Sequence, residues 1–271
     1  MRILLLVFVP LLLTVLLILA LDTRLLTRRY QIAAKGLSRQ VRLVLLTDLH
    51  ATPYGDRQER LLREVKACAP DLVLMAGDMV DRRRSTREAE HLYRGLSAYP
   101  SYYVIGNHEC GRADLEALKA RAKACGVTVL TNETVTVACG GEFLQISGID
   151  DPECRRHKPD FDHQTALVRL RETAAQRPGY RILIAHKPEW IARYSGFDLV
   201  VAGHTHGGMI RIPGLINGLI VPGQGLFPKW IGGVYQHEDT TLVISRGLSR
   251  HLIRPRVCNR PELVVIELMP E

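Results

Sequence analysis

The segment DLVVAGHTHGG, residues 198–208, joins a buried-strand pattern to a turn rich in potential ligands. Its β-branched apolar half runs into His204 and His206, which are separated by one residue and flanked by glycines. On an extended backbone, side chains two residues apart point to the same side. Glycine removes side-chain bulk around them. We therefore expect the two imidazoles to contribute to one binding site, whose other groups come from elsewhere in the chain.

Further apolar runs have the composition of buried strands. They are VRLVLL (41–46), DLVLMA (71–76), YYVI (102–105), RILIA (181–185), TLVIS (241–245) and LVVIEL (263–268). Helical patterns are predicted at 57–68, 86–97, 112–125 and 162–176. Strands alternating with helices are typical of an α/β fold with parallel strands and crossover helices.

Polar residues follow these runs at the point where each strand ends. In open α/β sheets the carboxyl ends of the strands border one crevice, where ligands bind. We expect eight side chains to meet there: Asp48, His50, Asp78, Asn107, His108, His186, His204 and His206. Taken singly, Asp78 could be a helix cap, Asn107 a turn residue and His186 a core histidine. Their joint order favours a metal site.

The donor types indicate which metals fit. A mixture of carboxylate, amide and imidazole argues against structural zinc, which favours thiolate and imidazole in a closed tetrahedron. It suits Mn²⁺, with Fe²⁺ or Zn²⁺ as alternatives. Seven candidate ligands exceed what one open site needs, whereas two ions about 3.5–4 Å apart, bridged by a carboxylate, would use them all.

The motifs DLH (48–50), GDMVD (77–81), GNHE (106–109), AHKP (185–188) and GHTHGG (203–208) closely resemble those of the calcineurin-like metallophosphoesterase superfamily. The resemblance covers about residues 41–268. It implies an α/β/β/α four-layer sandwich and a dinuclear site. Carried over residue by residue, it implies four roles. Asp48, His50 and His206 would hold the first metal; Asn107, His186 and His204 would hold the second; Asp78 would bridge both. His108 would donate a proton or hydrogen bond to the phosphoester.

The N-terminal residues 3–21 are apolar except for Thr14 and are long enough, at about 28 Å as a helix, to cross a bilayer. We expect a transmembrane anchor at 1–23, a basic linker at 24–40 and a metallophosphoesterase domain at 41–271. A cleaved signal peptide is the alternative. Arginines after the segment predict a single-pass protein of a bacterial-type cell membrane with a cytoplasmic domain, an extracytoplasmic one being the alternative.

The net charge of +8 fits an anionic partner such as a phosphoester or a lipid surface, or else an ordinary basic surface. The six cysteines show no CxxC pair, so we expect reduced thiols, with pairing of the six as the alternative. Cys110 and Cys154 lie near the GNHE and GIDDP motifs, where we expect both to be bystanders, a thiolate that binds a soft metal being the alternative. We expect a monomer.

The N-terminal segment, GIDDP (148–152) and the arginine-rich tail 245–262 are similar to a bacterial membrane-associated phosphodiesterase branch, some of whose members hydrolyse UDP-2,3-diacylglucosamine. The expected function is therefore a membrane-tethered phosphodiesterase or pyrophosphatase that uses a metal-activated water on a lipid-linked or nucleotide-linked phosphoester. The apolar segment 212–235 would serve as a ledge for an acyl chain or the membrane, or else pack as core strands.

The alternative functions are a phosphodiesterase or nuclease on soluble nucleotides, and an inactive binding or scaffold protein. Sparse aromatics argue against specific nucleic-acid binding, and the intact ligand set argues against a scaffold.

Overall fold

Buried β-branched runs form two six-stranded sheets in the computed structural model, which describes residues 10–11, 14–15, 17–221, 224–250 and 256–271. The first sheet has the order β1-β14-β2-β3-β4-β5 and the second β12-β13-β9-β8-β7-β6. The strands are β1 (Leu26–Ala34), β2 (Val41–Leu46), β3 (Leu72–Ala76), β4 (Ser101–Val104), β5 (Thr128–Val129), β6 (Glu133–Cys139), β7 (Glu142–Gly148), β8 (Tyr180–Ile184), β9 (Leu199–Ala202), β10 (Ile220–Val221), β11 (Gly225–Leu226), β12 (Gly233–His237), β13 (Thr240–Ile244) and β14 (Glu262–Pro270). The short β10 and β11 pair only with each other within the described chain.

Strands β2 to β5 are mutually parallel, as are β7, β8, β9 and β13. The helices are α1 (Glu59–Cys68), α2 (Arg87–Gly95), α3 (Asn107–Cys110), α4 (Leu115–Ala124) and α5 (His163–Ala175). Helix α5 begins where the Asp162 carboxylate accepts a hydrogen bond from the Thr165 N–H at 2.9 Å, which satisfies one free donor of the first turn.

Three apolar clusters separate the layers because side chains alternate across each strand. Val44 of β2 faces α1, α2 and α4, whereas Leu43 and Leu45 face the second sheet. On the far side, Val200 of β9 packs against α5. This arrangement agrees with the expected four-layer α/β/β/α sandwich. It also aligns the carboxyl ends of the parallel strands of both sheets at one edge.

The prediction of a basic linker at 24–40 was wrong for residues 26–34. These residues form β1, which pairs in parallel with β14. Two of the arginines that resembled a linker form ion pairs with that neighbouring strand. Arg28 Nε lies 3.1 Å from Glu262 Oε2, and Arg29 Nη1 lies 3.6 Å from Glu267 Oε1. The sheet of the domain therefore begins before residue 41.

Much of the expected anchor, residues 1–9, 12–13 and 16, lies outside the described chain. Of its described residues, 10–11, 14–15 and 17–20 are helical, and most of their large apolar side chains are exposed. No helix in the described parts of the chain combines the length and apolarity needed to cross a membrane.

Candidate metal centre

Five loops at the carboxyl ends of β2, β3, β4, β8 and β9 carry the eight predicted side chains into one crevice between the sheets. Backbone hydrogen bonds tie neighbouring loops together. The Asp48 N–H donates to the Gly77 carbonyl at 3.0 Å, and the Gly203 N–H donates to the His186 carbonyl at 3.2 Å. The convergence follows from parallel strands that end at a shared edge.

One half of the crevice holds Asp48, His50 and His206, each of which offers one ligand atom within 4.8 Å of the others. Nε2 of His50 lies 3.9 Å and Nε2 of His206 lies 3.8 Å from Asp48 Oδ1. The Asp48 carboxylate is further held by the His204 N–H, at 3.0 Å from Oδ2. Three donors of mixed type, two buried and one, His206, partly exposed, thus lie close together.

The other half holds His186, Asn107 and His204 around a shared centre. His186 Nε2 lies 3.1 Å from Asn107 Oδ1 and 3.3 Å from His204 Nδ1. Asp78 lies between the two halves: its Oδ2 is 3.3 Å from His186 Nε2 and 3.6 Å from His50 Nε2. Its position fits a carboxylate shared by two ions.

The donor chemistry of His186 tests whether the site suits a cation. Its Nδ1 lies 2.8 Å from the Ala76 carbonyl oxygen, which can only accept, so Nδ1 carries the proton. In the neutral ring, Nε2 then carries a lone pair and can only accept a hydrogen bond. It nevertheless faces the carboxylate of Asp78 and Asn107 Oδ1, which are also acceptors. Acceptors directed at acceptors in a buried site require a positive charge among them. A proton or a metal ion can supply it, and the residues present fit a metal ion.

The backbone at the site is strained in the way that functional loops often are. Left-handed φ values, which L-residues seldom adopt, occur at Asp48 (52°), His50 (47°), Asp78 (55°), His204 (70°) and His206 (48°). Such conformations cost on the order of 1–3 kcal/mol each and persist only where the surroundings impose them. Here they aim side chains of short, tightly tied loops at a common point.

Burial and mutual charge shape the ionisation of the site. Burial raises the pKa of Asp48 to about 6, and the adjacent Asp78 adds to the rise. Burial alone would raise the pKa of Asp78 too, but His186, His50 and His108 hold that pKa well below its usual range. Burial lowers the pKa values of His204 and His206. Neutral imidazoles beside carboxylates are the forms that bind metal ions.

His108 lies at the rim, on α3. Its backbone N–H donates to Asp78 Oδ1 at 2.9 Å, and its Nδ1 lies 3.6 Å from Asp81 Oδ2. Asp81 also lies 3.7 Å from His50 Nδ1. Asp81 was not among the predicted site residues, although its place in GDMVD, three residues after Asp78, was a signal that could have found it.

Two other groups that support the site were not recognised from the sequence. Glu109, fully buried, accepts hydrogen bonds from the backbone N–H groups of Gly106, Asp78 and Val80, which joins the GD and GN loops. Ser249 Oγ lies 3.0 Å from His206 Nδ1 and accepts from the buried Arg256 at 3.1 Å. Arg256 belongs to the arginine-rich tail 245–262. Arg254, also in that tail, lies outside the described residues.

Cys110 and Cys154 form a disulfide, which corrects the expectation that both are reduced bystanders. The bond connects α3, which carries His108, to the turn at 152–156 after GIDD, and so joins loops of the two sheets. The two thiols are far apart in sequence, so only the packing of the two sheets brings them together. Neither sulfur is then a thiolate that could bind a soft metal.

Comparisons with known proteins show which family the chain resembles. A family model described as "Calcineurin-like phosphoesterase" matches residues 41–208. The "Uncharacterized metallophosphoesterase YkoQ" of Bacillus subtilis is 28% identical over 233 residues, which span 83% of this chain and 82% of that protein. A "Transmembrane protein with metallophosphoesterase domain" of Danio rerio is 28% identical over 84% of this chain and 53% of its own length.

Among solved structures, a dimetal phosphatase from Danio rerio has a TM-score of 0.52 at 11% identity, covering 84% of this chain and 93% of its own. The sulfate thiohydrolase SoxB of Thermus thermophilus has a TM-score of 0.54 at 14% identity, covering 86% of this chain and 57% of its own. At such identities the likeness shows the fold alone. The family model, however, spans more than half of the chain and includes most of the crevice residues. The chain therefore belongs to the calcineurin-like phosphoesterase family and is a metal-dependent phosphoesterase.

Proposed function

We propose that the protein is a membrane-tethered hydrolase of phosphodiesters or pyrophosphates that works with two divalent ions. The single observation that carries the proposal is the position of Asp78, whose Oδ2 lies 3.3 Å from His186 Nε2 and 3.6 Å from His50 Nε2, as fits a carboxylate shared by two ions. Asp48, His50 and His206 would hold one ion, and Asn107, His186 and His204 the other. Oxygen and imidazole donors favour Mn²⁺, with Fe²⁺ or Zn²⁺ as alternatives.

When bound, a pair of divalent ions supplies Lewis acidity toward the phosphoryl oxygens and an activated water as nucleophile. The residues of the chain position the substrate and supply the proton for the leaving group. The water gives up a proton to solvent and its oxygen bonds to phosphorus, while the bond from phosphorus to the leaving oxygen breaks. His108, half exposed at the rim, is placed to protonate that leaving oxygen through Nε2, because its Nδ1 faces Asp81 at 3.6 Å. Asp81 acts as a positioning residue that holds the ring.

The tether rests on the apolar segment at 3–21 and on its exposed described side chains, such as Ile18, which is 66% exposed. Several large apolar side chains exposed together on a helix, here Leu17, Ile18 and Leu19, are typical of a surface that another phase covers. A lipid-linked or nucleotide-linked phosphoester is the substrate class that we propose, because a tethered enzyme with a net charge of +8 favours anionic substrates at a membrane.

Two observations favour opposite sides of the membrane. The arginines after residue 23 favour a cytoplasmic domain, whereas the Cys110–Cys154 disulfide is typical of oxidising compartments. Protease protection in sealed spheroplasts separates the two placements.

The test uses the full chain in detergent, stripped with a chelator and refilled with Mn²⁺. We expect hydrolysis of bis-p-nitrophenyl phosphate and about two metal ions per chain by mass spectrometry. Asp78→Asn should lose bound metal as well as turnover. His108→Ala should keep the metal and lose roughly 10²–10⁴-fold in turnover. His157→Ala, at an exposed histidine outside the predicted ligand set, is the matched control. A folded protein that binds no metal, or that hydrolyses no phosphoester with any metal, would contradict the proposal.

A further inference from the structure

Two apolar segments of the chain are exposed. The first is the N-terminal segment, in which Leu17, Ile18 and Leu19 are about 60% exposed or more. The second is the 212–227 loop, defined by its described residues 212–221 and 224–227, in which Leu215 is 78% exposed and Leu226 and Phe227 are 65% exposed. Several large apolar side chains exposed along one loop mark a surface that another phase or molecule covers.

Hydrogen bonds place these two segments beside each other. The Cys258 N–H donates to the Ala20 carbonyl at the end of the N-terminal segment. Next to it, the Val257 N–H donates to the Met209 carbonyl at 3.1 Å, and the Arg211 N–H donates to the Val257 carbonyl at 3.0 Å. A single short stretch of backbone therefore joins the end of the first apolar segment to the start of the second.

The other side of the loop lies against the metal centre. The Leu219 N–H donates to the carbonyl of Gly208, the last residue of GHTHGG, at 3.0 Å. Gln224 Nε2 donates to Glu189 Oε2 at 3.3 Å, and Glu189 Oε1 lies 3.9 Å from His204 Nε2. The loop thus connects the predicted ligand turn to the exposed apolar surface.

Basic and aromatic residues flank this surface. Arg24 follows the N-terminal segment, Arg211 precedes Ile212, and Lys229 follows Phe227, with its Nζ 4.4 Å from the Trp230 ring centroid. Apolar side chains bordered by lysine, arginine and tryptophan are typical of elements that enter the headgroup–acyl boundary of an anionic bilayer. A second copy of the chain would carry the same positive charges and would repel this surface.

We propose that the 212–227 loop docks on the bilayer beside the N-terminal segment, so that the GHTHGG turn is held next to the lipid headgroups. The inserting side chains are Ile212, Leu215, Ile220, Leu226 and Phe227. This inference rests on the tether proposed above. It adds a second, interfacial contact that fixes the orientation of the domain on the membrane.

The test places a tryptophan reporter on the full chain, reconstituted into vesicles of phosphatidylcholine and phosphatidylglycerol with and without brominated acyl chains. The loop variants are Leu215→Trp and Phe227→Trp. Ile18→Trp reports on the tether. Phe143→Trp is the matched control, because Phe143 is an exposed aromatic, at 51%, on β7. The native Trp190 and Trp230 give the background, which is subtracted using the wild type.

We expect brominated lipid to quench the added emission about twofold at 18, 215 and 227 and to leave 143 unchanged, because an interfacial element lies roughly 5–10 Å into the bilayer boundary. Quenching at 18 alone would overturn docking and keep the tether. Quenching at none of the sites would overturn both. A blue shift at 215 and 227 without quenching would show that protein, such as a second copy, covers the loop, and would also overturn docking. Hydrolysis of bis-p-nitrophenyl phosphate in the same samples reports on the phosphoesterase activity separately.

Discussion

Replacing the buried Glu109 by glutamine should weaken both the fold and the metal centre. The carboxylate accepts three backbone hydrogen bonds: Oε2 accepts from Gly106 at 2.8 Å and from Asp78 at 2.9 Å, and Oε1 accepts from Val80 at 2.9 Å. These bonds hold the loop that carries Asp78 against the loop that carries Asn107.

Glutamine has nearly the same shape but only one acceptor oxygen. If that oxygen takes the place of Oε2, the amide NH₂ faces the N–H of Val80, and a buried donor is left unsatisfied, at a cost of about 1–3 kcal/mol. The two remaining hydrogen bonds also lose their charge assistance. We expect Glu109→Gln to lower the free energy of unfolding by about 3 kcal/mol. We also expect it to reduce the amount of bound metal, because two loops with predicted ligands lose their common anchor.

Urea unfolding at pH 8 is the assay, since burial raises the pKa of Glu109 to about 7 and the group is mainly ionised at that pH. Glu116→Gln is the control: the same substitution on a side chain that is 75% exposed and pairs with Lys119 at 3.5 Å, where a loss of at most about 1 kcal/mol is expected. If Glu109→Gln unfolds within about 0.5 kcal/mol of the wild type and retains its metal, the three-bond anchor is not what joins these loops.

Three further predictions concern stability and geometry. Cys110→Ser should lower the free energy of unfolding by about 4 kcal/mol, since the Cys110–Cys154 bond closes a loop of 44 residues. Reductant should cause the same loss of stability in the wild type. A count of six free thiols in the non-reduced, denatured chain, where the bond leaves four, would refute the disulfide. Gly203→Ala should reduce metal binding, because an added Cβ would overlap the Asp48 carboxylate; unchanged metal content would count against this tight approach. Burial lowers the pKa of His163 from 6.5 to about 4, so the unfolded chain takes up a proton between these values while the folded chain does not. The free energy of unfolding should therefore fall as pH falls from 6.5 to 4. In thermal unfolding measured across this pH range, His163→Phe should remove up to about 3 kcal/mol of that decrease. If the variant's unfolding free energy depends on pH as that of the wild type does, His163 is not the group responsible.

Strands whose apolar character is local could be predicted directly from the sequence. VRLVLL corresponds to β2 at Val41–Leu46, and DLVVA contains β9 at Leu199–Ala202. Because each such strand ends at a polar turn, the candidate site could also be located from sequence order alone. The two sheets and their helices place all eight predicted side chains in one crevice, although which metal each would hold is still a proposal.

Features that depend on pairing between distant residues could not be read in this way. Strand β1 looked like a linker because its arginines find their acidic partners on β14, near the other end of the chain. Glu109 followed two predicted site residues, but only the folded loops show that it accepts three backbone hydrogen bonds.

The sequence by itself determined the alternation of strands and helices, the donor types and their order, because these depend on neighbours within one element. Tertiary structure alone decided the Cys110–Cys154 bond, the contact of Asp81 with His108, and the position of the 212–227 loop beside the N-terminal segment. Each of these depends on contacts between separate elements of the fold, which no local pattern encodes.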